Sequence, residues 1–199
     1  MNFNRRHFLG AAFAGAAGLA SPRAFAAVKN DTMPDLLPRA LAALNQHHNS
    51  ILRRDIVGVV DFSHHSREQR FQIVDIGNGR VVASYLVAHG KGSDPANSGW
   101  ATRFSNRPGS NASSEGSFRT GETYYGKHGK SRRLIGLDPQ NNLALQRAIV
   151  IHGADYVDPS LVAMQGRIGR SQGCFALERR LVNEVMDRLG NGALLFAAS

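Results

Sequence analysis

Ile56-Val57-Gly58-Val59-Val60-Asp61-Phe62 decides the fold: an apolar, Val-rich run too short for a helix, read as a buried strand. Arg70-Phe71-Gln72-Ile73-Val74-Asp75-Ile76 alternates apolar with polar and predicts a second strand. Gly77-Asn78-Gly79 is a turn signal that folds it back as a hairpin into a third, Val81 to Ala88. Outward from this unit, residues 34–48 read as a helix. Pro34 and Asp35 suit its first turn, and Leu37, Leu41 and Leu44 recur on one face for packing. Downstream, Ala148-Ile149-Val150-Ile151-His152 reads as a short strand ended by Gly153. Residues 177–189 read as a helix with Leu177, Leu181, Val185, Met186 and Leu189 on one face and Gly190 stopping it. Ala193 to Phe196 is a last strand. The stretch 90–117, rich in Gly, Ser and Asn, is too long for a simple connector, so it is a functional loop or a set of weak, irregular strands. Strands dominate and helices stand at both ends, which predicts a β-rich α+β domain.

The chain has 199 residues, 42% of them hydrophobic and 20% charged, which suits one ordinary globular domain and excludes disorder over most of its length. No apolar run reaches the roughly 18 residues of a membrane span. The net charge of +9 is dispersed. A solvated basic surface is its default reading, though it also suits an anionic partner such as a cell-wall polymer, and without a tight basic run with interleaved aromatics it does not point to nucleic acid. Residues 1–26 carry Arg5, Arg6 and Arg23, no acid, a Gly/Ala-rich apolar stretch and a closing Ala24-Phe25-Ala26. That is the pattern of an export signal, and Arg5-Arg6-His7-Phe8-Leu9 gives it a twin-arginine start. The expected location is the periplasm or cell envelope, with no stable membrane anchor once the signal is cleaved.

Cys174 is the only cysteine. Exported proteins usually carry paired cysteines or none, so a solitary thiol asks for a reason. It sits in a polar, Gly-rich turn, Gly169-Arg170-Ser171-Gln172-Gly173-Cys174, rather than inside an apolar element. A thiol nucleophile needs a base and a setting that favours the thiolate. His152, ending its strand 22 residues earlier, supplies the base. A helix starting near Ala176 would aim free N–H groups at Cys174, with Arg170 and Arg167 adding positive charge. Gly173 permits a tight turn, and the N–H groups of Gly173 and Cys174 are candidates for an oxyanion hole.

With those residues in place, the sequence resembles the YkuD-type L,D-transpeptidases of peptidoglycan, in their divergent murein L,D-transpeptidase catalytic-domain branch. The resemblance rests on His152-Gly153 and Ser171-Gln172-Gly173-Cys174, supported by residues 85–91, 113–121, 120–129 and 147–154. It implies a mixed β-sheet or sandwich core, with an N-terminal helix and a helix after the Cys loop. The domains would be an export signal over 1–26, a helical segment over 27–55 and a catalytic domain over 56–199. It further implies that Cys174 attacks an L-to-D peptide bond of a donor stem peptide and that an acceptor amine resolves the thioester, giving a 3-3 or 1-3 cross-link. His152 would move the protons, oriented by the Gly153 carbonyl. The partners are donor and acceptor stem peptides, and neither a metal nor an organic cofactor is implied.

The sequence departs from the family pattern where Gln172 replaces a His, and Gln orients but cannot titrate. Ser171 and Gln172 are accordingly orienting candidates. The position of a usual carboxylate-binding Arg is also changed, so Arg170, Arg167 and Arg179 are candidates for that role. Tyr124 and Tyr125 either line the cleft or pack across strands. Asp138 and Asp155 are possible partners of His152, with Asp155 better suited to a turn. His47-His48 and His64-His65 lack further ligands at metal spacing and go to a helix end and a turn. Trp100 stacks on sugar or pins its loop. Two other functions fit the same residues: an L,D-carboxypeptidase or endopeptidase, in which water replaces the amine, and a non-catalytic wall-binding protein.

Overall fold

The computed structural model describes residues 34–199. The expected export signal over 1–26 lies outside them. Eight strands and three helices follow in the order α1 (Leu37–Gln46), β1 (Arg53–Asp61), β2 (Phe71–Asp75), β3 (Arg80–Tyr85), β4 (Gly116–Gly126), β5 (Gly129–Gly136), β6 (Val150–Ala154), α2 (Pro159–Gln165), β7 (Phe175–Glu178), α3 (Val182–Leu189) and β8 (Ala193–Ala198). The strands form one mixed sheet in the order β3-β2-β1-β8-β4-β5-β6-β7. The β1–β8 and β6–β7 pairs are parallel and the others antiparallel. This is the β-rich α+β class that the sequence predicts.

The apolar run at 56–62 falls mostly in β1, an interior strand between β2 and β8, and serves both faces of the sheet. Val57 and Val59 pack with Leu194, Phe196 and the α1 residues Leu37, Ala40 and Leu44. Val60 faces the other way, with Leu195 and the α3 residues Val185, Met186 and Leu189. A strand buried on both sides shows a continuous apolar run instead of alternation. Gly77-Asn78-Gly79 makes the turn between β2 and β3, and Gly190 ends α3.

Two sequence expectations change, the bounds of the two helices, and the stretch 90–117 takes the first of its two alternatives. The helix expected over 177–189 begins only at Val182, because residues 175–178 form β7, paired Ile151↔Phe175 through Ala154↔Glu178. Leu177 is buried on β7, and a leucine four residues before Leu181 does not by itself distinguish a helix from a strand followed by a turn. The stretch 90–117 is a loop held by isolated bridges, Ala88↔Ala176 and Gly90↔Ser171, until β4 begins at Gly116. The β4–β5 hairpin lacks a period-2 apolar signal and takes its order from β8 and β6 on either side. The N-terminal helix is shorter than expected, Leu37–Gln46, with Pro38 in its first turn, where a missing N–H costs nothing.

Candidate active site

His152 lies on β6 with only 2% of its surface exposed. Its Nδ1 lies 3.0 Å from the Gly153 carbonyl oxygen, which can only accept. Nδ1 therefore carries the proton, and Nε2 is left with a free lone pair. Burial pushes the imidazole down to about 4 against the Gly153 bond that favours its charge, and His128, Arg179 and Lys127 push the same way as burial. At neutral pH His152 is an uncharged ring ready to accept a proton.

Cys174 precedes β7, at the level of Val150 in the parallel β6–β7 register. Its thiol donates to the Ala148 carbonyl at 3.5 Å. Ala148 sits at φ 54°, a backbone setting uncommon for a residue with a Cβ. Burial pushes the thiol upward, opposed by a hydrogen bond from the Val150 backbone and by the Arg147 and Lys127 charges. The expected helix dipole is absent because a strand follows Cys174, and the thiol is raised, not lowered. At rest the two side chains are therefore thiol and neutral imidazole, not an ion pair.

Ser171 holds the Cys loop. Its hydroxyl donates to the Cys174 carbonyl at 2.7 Å and accepts from the Gly173 N–H at 3.1 Å. Its backbone N–H donates to the His89 carbonyl. Gly173 thus directs its N–H at Ser171, not at the cavity, in place of the oxyanion role read from the sequence. Its φ of 111° and the 2.6 Å that a Cβ would leave to the Ala112 carbonyl explain why glycine stands there.

Cys174 and His152 line one cavity of about 580 Å³, together with Arg170, Gln172 and Tyr124 from the sequence candidates. Ser171, another sequence candidate, lines it too, and the wall includes four titratable or charged residues that are not among those candidates: His128, Arg147, Tyr156 and Lys127. Among the described residues that line the cavity there is no carboxylate. Arg147 binds the loop above the thiol through Ser105, Ser110, Ala112 and Ser114. Burial, and then the charge that Cys174 carries once ionised, hold the Tyr156 phenol up at about 12, so it stays protonated. Arg170 also donates to the Asp94 carbonyl.

Other candidates lie elsewhere. Tyr125 is 83% exposed and outside the cavity, and Arg167 bonds the Gln165 carbonyl at the end of α2. Arg179 forms two hydrogen bonds to Asp155, and Asp138 pairs with His47, so neither acid is the partner of His152. Trp100 stands edge-on to His65 in its loop. Among the described residues no group of three metal-ligating side chains occurs, and no helix is long and apolar enough to cross a membrane.

A family model described as the L,D-transpeptidase catalytic domain matches residues 29–198. No curated protein matches the chain. Similar solved structures include an L,D-transpeptidase from Mycobacterium smegmatis, 15% identical, covering 73% of this chain and 59% of that one, with a TM-score of 0.43. Another is an L,D-transpeptidase from Xylanimonas cellulosilytica, 18% identical, covering 81% and 70%, with a TM-score of 0.41. An L,D-transpeptidase from Mycobacterium tuberculosis is 13% identical, covering 73% and 58%, with a TM-score of 0.45. The chain spans about three fifths of the length of the first of these structures.

Proposed function

The chain belongs to the L,D-transpeptidase catalytic-domain family, and from that premise we propose that it cross-links peptidoglycan stem peptides through a thioester on Cys174. The observation that carries the reading is that Cys174 and His152 share one cavity, with Nδ1 tied to Gly153 and Nε2 free to take a proton. The acid-free wall with Arg147, Arg170 and Lys127 suits a donor stem that carries carboxylates.

The thiol proton passes to His152 Nε2 as sulfur bonds the carbonyl carbon of the L-to-D peptide bond. The C–N bond breaks, the leaving D-amino acid takes that proton on its nitrogen, and a thioester remains. An acceptor amine then attacks the thioester carbonyl and gives a proton to His152. The C–S bond breaks, a new amide forms, and the thiolate recovers the proton. Arg170 is the substrate-carboxylate candidate in the cavity, while Ser171 and Gly173 keep the Cys loop in shape. In this reading residues 56–199 are the catalytic domain, and residues 1–26 direct it to the cell envelope by the twin-arginine route.

Mass spectrometry of purified stem peptides incubated with the protein tests the reaction and its linkage together. A cross-linked dimer with release of the terminal D-amino acid is expected, as is a carbapenem adduct on Cys174. Released D-amino acid without dimer would replace the transferase with a hydrolase. Cys174→Ala should reduce turnover to background, and cross-linking that survives in that variant would overturn the cysteine mechanism.

A further inference from the structure

The two-residue tip of the β4–β5 hairpin sits beside the base. Gly126 pairs with Gly129, which leaves Lys127 and His128 as the tip. Three residues from the tip, Ser131 pairs with His152, so the register of β5 on β6 brings the tip to the level of the buried imidazole. There the His128 ring stacks on the His152 ring, with centroids 4.2 Å apart and planes 22° apart. His128 lines the cavity and remains partly exposed.

The stack adds a second constraint to His152. The Gly153 bond holds one edge of the ring, and His128 covers one face. Rotation of the imidazole would break both. The stack also bears on charge. Each proton transfer in the proposed reaction makes His152 an imidazolium for a moment. A neutral ring face at this separation attracts that cation, as aromatic faces do. A protonated His128 would repel it. Burial, followed by the Lys127 and Arg179 charges, pushes His128 downward, so it too is neutral under ordinary conditions. The charged and titratable groups around the pair are Lys127 on the tip itself, Arg179 after β7 with its partner Asp155 after β6, and, on the shared cavity wall, Arg147, Arg170, Tyr124, Tyr156 and Cys174.

We propose that His128 is a positioning residue for His152, which fixes the plane of the imidazole and, by staying neutral, stabilises the imidazolium formed in each proton transfer. The proposal rests on the reading of His152 as the general base. Its test uses the full protein and three forms: wild type, His128→Phe, which keeps an aromatic face but cannot titrate, and His128→Ala. One measurement is the pH titration of the His152 ring signal by NMR, which needs no substrate. In the wild type that signal should respond to the protonation of both rings. In His128→Phe it should titrate in a single step, displaced upward from about 4. The other measurement is turnover of stem peptides. His128→Ala should lose about tenfold in kcat with KM little changed, and His128→Phe should recover most of that loss.

An identical His152 titration in wild type and His128→Phe would overturn the proposal. So would full kcat in His128→Ala, or failure of Phe to recover what Ala loses. If the wild type forms no product from stem peptides, the proposed function falls, while the NMR titration still decides whether the two rings are coupled.

Discussion

At Cys174 two influences compete, and burial prevails. Arg147, Lys127 and the Val150 backbone favour the thiolate, yet the thiol is pushed upward. His152 is pushed the opposite way, to about 4. A pre-formed thiolate–imidazolium pair would need both shifts reversed. The proton therefore moves during attack, and the resting thiol should be a poor nucleophile towards small reagents. Alkylation of Cys174 by iodoacetamide should keep rising with pH through the ordinary thiol range, without a plateau on the acid side of neutrality. A plateau reached below pH 7 would show the ion pair and contradict this account.

Between residues and the whole molecule, the elements show what the sequence makes legible. Residues 56–62 and 148–152 are readable because a Val- and Ile-rich run bounded by polar residues or glycine has few other uses. Phe175 to Glu178 is not: four residues are too few to display a period, and their parallel pairing with β6 is a long-range contact. That single misreading changes the electrostatics expected at the thiol. The Cys174–His152 constellation needs only residue types and spacing, and so it was visible. His128 and Arg147 stand in the stretches 120–129 and 147–154 that support the resemblance, but their place in the cavity comes from a hairpin register and a loop clasp that residue types and spacing do not show. Arg147 makes a test of the clasp. Its two terminal nitrogens bind four acceptors in residues 105–114 at 2.5 to 3.3 Å. A lysine keeps the charge but offers one nitrogen. Arg147→Lys should cost about 3 kcal/mol and speed hydrogen exchange across that loop. Unchanged exchange there would mean that the loop holds itself.

Across the molecule, burial of neutral imidazoles ties stability to pH. His89 is fully buried behind the Cys loop. Arg70 donates to its Nδ1 at 2.7 Å, so its proton is on Nε2, which lies 3.3 Å from Asp94 Oδ2. A second proton would set an N–H against the guanidinium. Burial first, and then the Arg70 charge, push His89 down to about 4, as burial does for His152. Both groups start from an ordinary value of 6.5. Between 6.5 and 4 the unfolded chain binds protons that the folded chain refuses, so stability is complete above this window and drains away as pH falls through it. Each imidazole contributes on the order of 3 kcal/mol over the full window. The effect has a local address, because the His89 carbonyl accepts the Ser171 N–H and Ala88 pairs with Ala176 on the far side of Cys174. His89→Gln separates this contribution from that of acidic groups, since an amide can accept from Arg70 and donate to Asp94 without titrating. Chemical unfolding of wild type and His89→Gln at pH 7 and pH 4.5 is the measurement. The wild type should lose more stability over that interval than the variant, by on the order of 2 kcal/mol. Equal losses would show that His89 takes up its proton inside the fold as readily as outside it, and the neutral buttress behind the Cys loop would have to be abandoned.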